Sequence, residues 1–228
     1  MIEFGLPGAR VAFSTRKGGV SEGPFASLNL GHLTDDDPAA VAENRRRLAA
    51  AAGTVPEEIA MSRQVHGADL AEWEEPPSGG ELRRVDGHLS AERGLPLLVL
   101  VADCLPVALA GGGRVAMLHC GWRGLAAGIL ERALDRFDEP PAAAFGPAIG
   151  PCCYEVGPEV LAAFEPLAGV AEGRMLDLKA VARRTLDANG VALVEDAAHC
   201  TSCRPDLFFS HRRDGGVTGR QGGLVWRT

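Results

Sequence analysis

Three residues of this sequence combine metal-binding side chains with the same local setting. His66 in QVHG, Cys104 in ADCLP and His119 in LHCGWRG each end an apolar run and lie just before a glycine or proline. Such positions are typical of strand ends, where distant residues can meet because neighbouring strands lie only about 4.8 Å apart. Two imidazoles and one thiolate could hold a catalytic zinc ion and leave its fourth tetrahedral position open for water or substrate.

The spacing of these residues leaves a second interpretation open. They lie 38 and 15 positions apart, which matches no compact zinc motif. Buried histidines and cysteines also occur singly in protein cores. The pattern alone therefore fits either a metal centre or three unrelated buried side chains.

The segment LHCGWRG also has the features of an anion site. It places Gly121, Arg123 and Gly124 between a predicted strand and a predicted helix. Free N–H groups at the start of a helix attract anions, and so does a guanidinium. An ordinary strand-to-helix turn has the same pattern, so both interpretations stay open.

A long loop and a helix are predicted in the first quarter of the chain. The loop, residues 16–31, is rich in Gly, Pro and Ser, and loops of this length are usually functional. Acidic residues 35–37 supply N-cap oxygens for the helix, Pro38 suits its first turn and Gly53 ends it. Arg45 falls on the buried stripe of this helix, so its guanidinium must find an acceptor or an anion unless it extends to the surface.

Apolar patterning predicts most of the other elements. Helices are predicted after CGWRG, where Ala126, Ile129, Ala133 and Phe137 share one face, and at 158–167 and 178–189. A turn is predicted at 76–81, and strands at 11–15, 59–65, 68–73, 95–104, 106–110, 115–119, 142–145, 191–194 and 224–226. We expect the strands at 95–104, 106–110 and 115–119 to lie in one sheet.

Length and composition limit the class of protein. With 228 residues and 46% hydrophobic side chains, the whole chain, 1–228, is expected to form one domain. A formal net charge of -7 argues against nucleic acid as a partner. There is no apolar stretch of about 20 residues and no signal-peptide pattern, so we expect no membrane association and a cytoplasmic location. The six cysteines fit thiols or metal ligands in a reducing compartment.

Several segments together resemble one known family. They include STRKGGVSEGPFASLNLG, ENRRRL, QVHG, ADCLPVALA, LHCGWRGLAAGI, GPAIGPCCYEVGPEV and CTSCRPDLFFSHRRDGGVTGRQGGLVW. In this order they are similar to the YfiH family, also called the laccase-domain or polyphenol-oxidase family, from about Val11 to Trp226.

The resemblance implies a fold and a zinc-dependent enzyme. The expected fold is α/β (α+β), a single compact domain with mixed β-sheets flanked by helices. By resemblance, His66, Cys104 and His119 would hold zinc and form the catalytic centre. The family is associated with phosphorolysis of adenosine, inosine and methylthioadenosine and with adenosine deamination, so purine nucleoside and phosphate would be the partners.

The resemblance also suggests substrate contacts and shows one departure. Arg123 would hold the anion, with Arg45 and Asn29 as further substrate contacts. Family members often carry HAGWRG where this chain has LHCGWRG, which places Cys120 beside His119. Because successive strand side chains point to opposite faces, Cys120 is expected to face the core.

Other catalytic patterns fit less well. A multicopper oxidase needs about ten histidines, largely in His-x-His pairs, whereas this chain has six histidines and no such pair. The His-x-Glu signature of zinc deaminases is also missing. The Cys200-x-x-Cys203 pair has no second Cys-x-x-Cys and is interpreted as a local turn, and Cys152 and Cys153 are interpreted as structural.

Two alternatives to the metalloenzyme use the same pocket. In a metal-free cysteine hydrolase, Cys104 would be the nucleophile and His119 or His66 its base. In a non-enzymatic module, the pocket would bind a nucleoside without turnover. Metal content separates the first alternative from the metalloenzyme, and product formation separates the second.

Overall fold

The computed structural model describes residues 1–77, 79, 82–192 and 194–228. In this part of the chain the helices are α1 (Pro38–Ala52), α2 (Trp122–Ala126), α3 (Ile129–Leu134), α4 (Pro158–Ala162) and α5 (Leu178–Ala188). The strands are β1 (Ile2–Leu6), β2 (Ala9–Phe13), β3 (Leu70–Trp73), β4 (Gly87–Ser90), β5 (Leu97–Val101), β6 (Leu105–Gly111), β7 (Arg114–Cys120), β8 (Ala142–Phe145), β9 (Ala171–Glu172), β10 (Met175–Leu176), β11 (Val194–Asp196) and β12 (Gln221–Arg227). The turn predicted at 76–81 and the strand predicted at 191–194 each include residues outside the described ones.

Two sheets carry most of the strands. A four-stranded antiparallel sheet has the order β1-β2-β12-β5. A six-stranded mixed sheet has the order β11-β8-β6-β7-β4-β3, in which the outer pairs β11·β8 and β3·β4 are parallel and the inner pairs are antiparallel. Strands β9 and β10 form a separate antiparallel pair.

The sheets and helices stack in four layers. The two sheets pack face to face through a core that includes Phe13, Val99 and Met117. The other face of the six-stranded sheet is covered by α2, α3, α4 and α5, and the other face of the four-stranded sheet by α1. The predicted architecture, one compact domain with mixed sheets flanked by helices, is confirmed.

Strand β6 shows why the central strands have unbroken apolar sequences. Val107 and Leu109 belong to the core under the helices, whereas Ala108 and Ala110 belong to the core between the sheets. A strand that is buried on both faces needs apolar residues at every position. Such a run does not encode the sheet to which the strand belongs.

The prediction that three apolar strands share one sheet is wrong for the first of them. Strand β5 pairs with β12 in the four-stranded sheet, whereas β6 and β7 pair in the six-stranded sheet. The chain passes from one sheet to the other between Val101 and Leu105. Cys104 therefore lies on the connection between the two sheets.

Helix α1 follows its sequence signals closely. The Asp37 carboxylate accepts a hydrogen bond from the Ala39 backbone N–H, Pro38 is the first helical residue, and Gly53 ends the helix with φ +80°. These are the N-cap, first-turn and C-terminal features that the sequence predicts. Val41 and Leu48 are buried, and Ala52 is partly buried against the same core.

Two other local predictions need correction. The single helix predicted after CGWRG is divided into α2 and α3, because Gly128 adopts the left-handed conformation with φ +81°. The strand predicted at 59–65 forms only one bridge, Ala60 to Leu97. Beyond it, the Ser62 hydroxyl donates to the Val85 carbonyl, and the Gln64 side chain bonds both backbone groups of Leu100, so side chains replace a strand ladder.

None of the helices in the described part of the chain has the length and apolar character that crossing a bilayer requires.

Candidate metal centre and substrate pocket

The fold brings the three proposed donors to one place. The ligand atoms of His66, Cys104 and His119 all lie within 4.8 Å of one another. The two imidazole rings meet edge to face, with centroids 4.8 Å apart and planes at 74°. His119 is buried and Cys104 half-buried, whereas His66 is more exposed, so the donor group opens toward solvent on one side.

Asp86 organises the loop that carries His66. Its buried carboxylate accepts hydrogen bonds from the backbone N–H groups of Val65, His66 and Gly67 at 3.0, 2.8 and 2.8 Å. His66 has φ 62°, in the left-handed region that non-glycine residues seldom adopt. Asp86 holds this loop in a conformation that the chain would not adopt by itself.

The same carboxylate orients His119. Nδ1 of His119 donates to Oδ1 of Asp86 at 2.7 Å, because an ionised carboxylate can only accept. The backbone N–H of His119 also donates to the carbonyl of Asp86, at 2.8 Å. Nε2 is left for the site, and a carboxylate behind an imidazole is the usual arrangement around metal-binding histidines.

Asp103 fixes the segment of Cys104 in a comparable way. It has φ 96° and is almost fully buried. Its carboxylate accepts from the Thr201 hydroxyl at 2.6 Å and from the Arg212 backbone N–H at 2.7 Å, and its carbonyl accepts from the Ile149 N–H at 2.9 Å. Backbone strain of this kind persists only where the surroundings enforce it. Three separate segments thus hold the residue before Cys104.

Glycines in LHCGWRG allow the donor segments to approach each other. A Cβ at Gly124 would lie 2.8 Å from the carbonyl oxygen of Gly67, so only glycine lets α2 pack against the His66 loop. A Cβ at Gly121 would lie 3.1 Å from Sγ of Cys104 and 3.4 Å from Cδ2 of His66. Cys120, the neighbour of His119, is fully buried in the core, as the strand alternation predicts.

The electrostatics of the group favour a thiolate. Burial would raise the pKa of Cys104, but the charge of His119 and hydrogen bonds from both histidines lower it to about 6. Burial would lower the pKa of His119, but the Cys104 thiolate and Asp86 raise it to about 9. For Asp86, burial is likewise outweighed by hydrogen bonds from His119 and the backbone, which lower its pKa. Without metal, these shifts favour a Cys104 thiolate beside a His119 imidazolium.

This thiolate should be visible in the pH dependence of alkylation. In metal-stripped protein, the rate at which iodoacetamide modifies Cys104 is expected to rise through a pH of about 6, against about 8.5 for an unperturbed cysteine. The reactive form is lost as the pH falls, because protonation removes the thiolate. Peptide mass spectrometry resolves the site, with His119→Gln as the variant that should return the midpoint toward 8.5. A midpoint near 8.5 in the unmutated protein would contradict the assigned ion pair.

The donors lie on the wall of a cavity of about 480 Å³, a size typical of small-molecule sites. The lining also contains the aromatic side chains of Trp122 and Tyr154 and four arginines, Arg63, Arg123, Arg212 and Arg220. A chain of net charge -7 thus gathers cationic groups around its donor set. This concentration favours an anionic ligand or substrate.

The three substrate contacts suggested by resemblance are placed differently by the fold. Arg123 is exposed, lines the cavity and stacks over the Trp122 ring at 4.5 Å. Arg45 lies outside the lining; it donates to the Leu30 carbonyl at 3.0 Å and bonds Nδ1 of His32, a lining residue, at 2.9 Å. The interior guanidinium of α1 has therefore found acceptors within the protein.

Asn29 lies behind the cavity wall. It is fully buried, its amide donates to Thr34 and Asp36, and its carbonyl oxygen accepts from the N–H groups of Gly31 and Arg220. Gly31, Thr34 and Arg220 are lining residues. The contacts of Asn29 thus connect it to the pocket through the residues that it positions.

Several residues of the site were not singled out from the sequence. Asp86 lies in a short Val-Asp-Gly segment with no role assigned from the sequence, and the cavity-lining Arg212 and Arg220 lie in a segment quoted for the resemblance without a role of their own. None of the three lies in a local pattern that predicts its position. Arg212 and Arg213 are adjacent in SHRRD, and the sequence gives no signal of which of the two faces the pocket.

The fold and the site together define a class of protein. It is an α/β domain whose histidine–cysteine–histidine group could bind a metal ion and lies on the wall of a cationic pocket. Residues 10–228 match the family model described as multi-copper polyphenol oxidoreductase laccase. The chain belongs to this family.

Named relatives cover nearly the whole chain. Purine nucleoside phosphorylase PA4543 of Pseudomonas aeruginosa is 42% identical over 95% of this chain and 93% of its own length. Purine nucleoside phosphorylase YfiH of Escherichia coli is 39% identical over 96% and 94%. The crystal structure of YlmD from Geobacillus stearothermophilus has a TM-score of 0.90 at 36% identity, covering 97% of this chain and 93% of that one.

The description of the family model names a multi-copper enzyme, but the donors of this chain differ from a multicopper set. Within the described ranges, two groups of side chains could hold a metal ion, and one of them contains histidine. A multicopper centre needs several histidine-rich sites close together. The His66, Cys104 and His119 group fits one ion on nitrogen and sulfur, not a cluster of coppers.

Proposed function

We propose that this chain is a zinc-dependent purine nucleoside phosphorylase acting on adenosine, inosine and methylthioadenosine. The observation that carries the proposal is the joint presence of a His66, Cys104 and His119 donor set and four arginines in one cavity of about 480 Å³. The names of the Pseudomonas and Escherichia relatives support the same substrate class. A nucleoside binds best in a largely apolar cleft, and phosphate binds to cationic groups. The cavity has aromatic side chains for the first and arginines for the second.

Zinc is the metal that suits this donor set best. Mixed imidazole and thiolate ligands with one open position are typical of catalytic zinc. A bound zinc ion would supply Lewis-acid polarisation of a substrate atom. Carboxylate-rich ligation, as magnesium or calcium requires, is absent from this histidine–cysteine group.

The reaction exchanges one bond at the ribose. A phosphate oxygen forms a bond to C1′ while the bond from C1′ to the purine nitrogen breaks, and the electron pair leaves with the purine, which takes up a proton. The products are a free purine base and ribose 1-phosphate, or 5-methylthioribose 1-phosphate when methylthioadenosine is the substrate. The arginines of the lining would bind phosphate and oppose its negative charge, so that it approaches C1′ in a fixed orientation.

The residues around the centre would contribute positioning. Asp86 holds His119 in the tautomer that presents Nε2 and keeps the His66 loop in place. Asp103 fixes the segment of Cys104. A preorganised site of this kind avoids the cost of reordering polar groups during reaction.

Turnover assays test the proposal directly. Purified, zinc-loaded protein incubated with adenosine and phosphate should release adenine and ribose 1-phosphate, detected by chromatography, and omission of phosphate should stop the release. Inosine and methylthioadenosine are tested in parallel. Binding of nucleoside without any base release from this panel would overturn the enzyme and favour a nucleoside-binding module.

Arg123 gives a test of the phosphate subsite. Arg123→Gln should raise the KM for phosphate by roughly 10–100-fold, as expected for the loss of a charge-assisted hydrogen bond. The KM for nucleoside should change little, and folding should be preserved because the side chain is exposed. Arg46→Gln, on an exposed α1 side chain outside the lining, is the matched control. Equal changes in both KM values would argue against a specific phosphate contact.

Adenosine deamination would use the same pocket with water as the nucleophile. Attack at C6 of the purine releases ammonia and yields inosine. Inosine formation from adenosine in phosphate-free buffer measures this activity separately from base release. The two activities share the donor set, so both should disappear when the metal is removed.

The lowered pKa of Cys104 favours one second candidate, a metal-free cysteine hydrolase. Its nucleophile would be the Cys104 thiolate beside His119. Activity that survives complete removal of metal and is abolished by covalent labelling of Cys104 would support this candidate. Activity that follows zinc occupancy would exclude it.

The cysteines support a cytoplasmic location within this proposal. None of the six forms a disulfide in the structure. Exposed thiols close to one another, such as Cys152 and Cys203, persist in reducing compartments and oxidise elsewhere.

A further inference from the structure

A second group of metal-ligating side chains lies away from the donor set described above. Cys152 and Cys153 follow β8, and Cys200 and Cys203 follow β11, so the pairs are about 50 residues apart in sequence. Their four sulfur atoms all lie within 4.8 Å of one another. We call these residues the cysteine cluster. From the sequence, each pair has only a local, structural interpretation, because neither pair forms a complete motif alone.

The sulfur separations match a shared metal ion better than a disulfide. Sγ of Cys203 lies 3.5 Å from that of Cys152 and 3.4 Å from that of Cys153. A disulfide requires about 2.05 Å. Four sulfurs placed tetrahedrally around zinc at about 2.3 Å lie about 3.8 Å apart. The observed spacing is therefore close to that of a tetrathiolate site.

Backbone geometry supports both halves of the cluster. Ala148 and Cys200 form a parallel bridge, and the Thr201 N–H donates to the Ala148 carbonyl at 3.0 Å. Cys152 and Cys153 lie in a turn that two backbone hydrogen bonds close. The N–H groups of Cys153 and Tyr154 both donate to the Gly150 carbonyl at 3.0 Å. Both pairs are thus fixed by main-chain bonds that do not depend on the thiols.

One sulfur already receives a main-chain hydrogen bond. The Gly150 N–H donates to Sγ of Cys200 at 3.3 Å. Hydrogen bonds from backbone amides to sulfur are a regular feature of metal thiolates, where they stabilise the negative charge and orient the ligand.

From this geometry we propose that the cysteine cluster is a second metal site, which binds one zinc ion through four thiolates and has a structural role. Four protein ligands close the coordination shell and leave no position for substrate, as in structural zinc sites. The site joins two loops that lie far apart in the chain. The proposal is independent of the proposed phosphorolysis, since it concerns how these loops are held together.

The loops joined by the cluster also form part of the pocket wall. Ile149 and Tyr154 line the cavity, and the Tyr154 ring lies under the guanidinium of Arg212 at 5.1 Å. Thr201, between Cys200 and Cys203, donates to the carboxylate of Asp103, the residue before Cys104. Metal at the cluster would therefore stabilise the segment that presents Cys104, without itself contacting substrate.

Cobalt(II) binding tests the proposal in a background that lacks the first site. Metal-stripped Cys104→Ala protein is titrated with cobalt(II) alone under reducing conditions. We expect about one equivalent per chain, with the intense thiolate-to-cobalt charge-transfer and ligand-field bands of a tetrahedral tetrathiolate. One equivalent of zinc should then displace the cobalt and remove these bands.

A second substitution assigns the bands to the cluster. Adding Cys203→Ser, at an exposed position, should abolish stoichiometric cobalt binding and the four-sulfur spectrum, whereas adding Ser202→Ala in the same turn should leave both unchanged. Zinc should raise the Tm of the Cys104→Ala protein and not that of the Cys104→Ala, Cys203→Ser protein, because only the former binds it.

Two results would overturn the structural metal site. The first is an absence of tight cobalt or zinc binding by folded, fully reduced Cys104→Ala protein. The second is intact-mass and peptide data showing a disulfide between Cys203 and Cys152 or Cys153 in protein purified without oxidant. Neither result depends on phosphorylase activity, so failure here is distinguishable from failure of the proposed reaction.

Discussion

Cys104→Ala is expected to remove one equivalent of zinc per chain and to lower kcat/KM for nucleoside phosphorolysis by about 10³-fold, because a metal ion contributes several kcal/mol of transition-state stabilisation. Cys104 is one of three donors whose ligand atoms lie within 4.8 Å of one another. Two histidines alone bind zinc much more weakly than two histidines and a thiolate. Metal analysis and phosphate-dependent base release measure the two effects on the same samples.

Cys120→Ala is the matched control for this substitution. Cys120 lies near Cys104 but is fully buried in the core, and burial raises its pKa well above the usual value, so it should be an inert thiol. Metal content and activity should be retained in this variant. A Cys104→Ala protein that keeps its full metal content while losing all activity would contradict the ligand role and favour the thiol nucleophile.

Asp86→Asn is expected to weaken zinc binding at the same centre by roughly 10–100-fold, the usual effect of changing the partner of a ligating histidine. The Asp86 carboxylate accepts from Nδ1 of His119 at 2.7 Å and from three backbone N–H groups of the His66 loop. The side-chain amide of the Asp86→Asn protein would carry no negative charge. Its NH2 group could also face one of the N–H groups from which the carboxylate accepts a hydrogen bond. Zinc affinity measured by competition with a chromophoric chelator reports the change.

Saturating zinc separates metal binding from a general loss of structure. With excess zinc, Asp86→Asn should recover a large part of its activity, because the ligands themselves remain. Asp69→Asn, at an exposed carboxylate that pairs with Arg132, should leave zinc affinity unchanged. Equal affinities of the Asp86→Asn and unmutated proteins would show that Asp86 does not position the ligand histidine.

Local signals predicted helix α1 almost to the residue. The acidic N-cap, Pro38 and Gly53 each act within a few positions along the chain, so their effect does not depend on distant segments. Gly128 shows the opposite case. Its left-handed conformation divides a continuous apolar face into α2 and α3, and a single glycine inside a helical pattern does not reveal whether it will break the helix.

The histidines show how much of the site the sequence could not decide. His88, like His119, is a buried strand residue, but Trp73 donates to its Nδ1 at 3.0 Å, and its Nε2 lies 3.2 Å from the Ser62 hydroxyl. Burial lowers its pKa to about 4. Both are buried histidines in strands, and their partners in space distinguish a structural histidine from a possible ligand.

The amino-acid sequence by itself determined the donor types, the capped helix, the buried apolar strands and, through a series of motifs in order, the family. Tertiary structure decided which sheet receives β5, which carboxylate lies behind His119, which arginines face the cavity, and that cysteines 50 positions apart form one cluster. The physical reason is the distance along the chain over which each kind of interaction acts. Capping and hydrophobic periodicity act between near neighbours in the chain, whereas ligand sets and charge partners depend on long-range strand pairing that many apolar sequences could satisfy in more than one way.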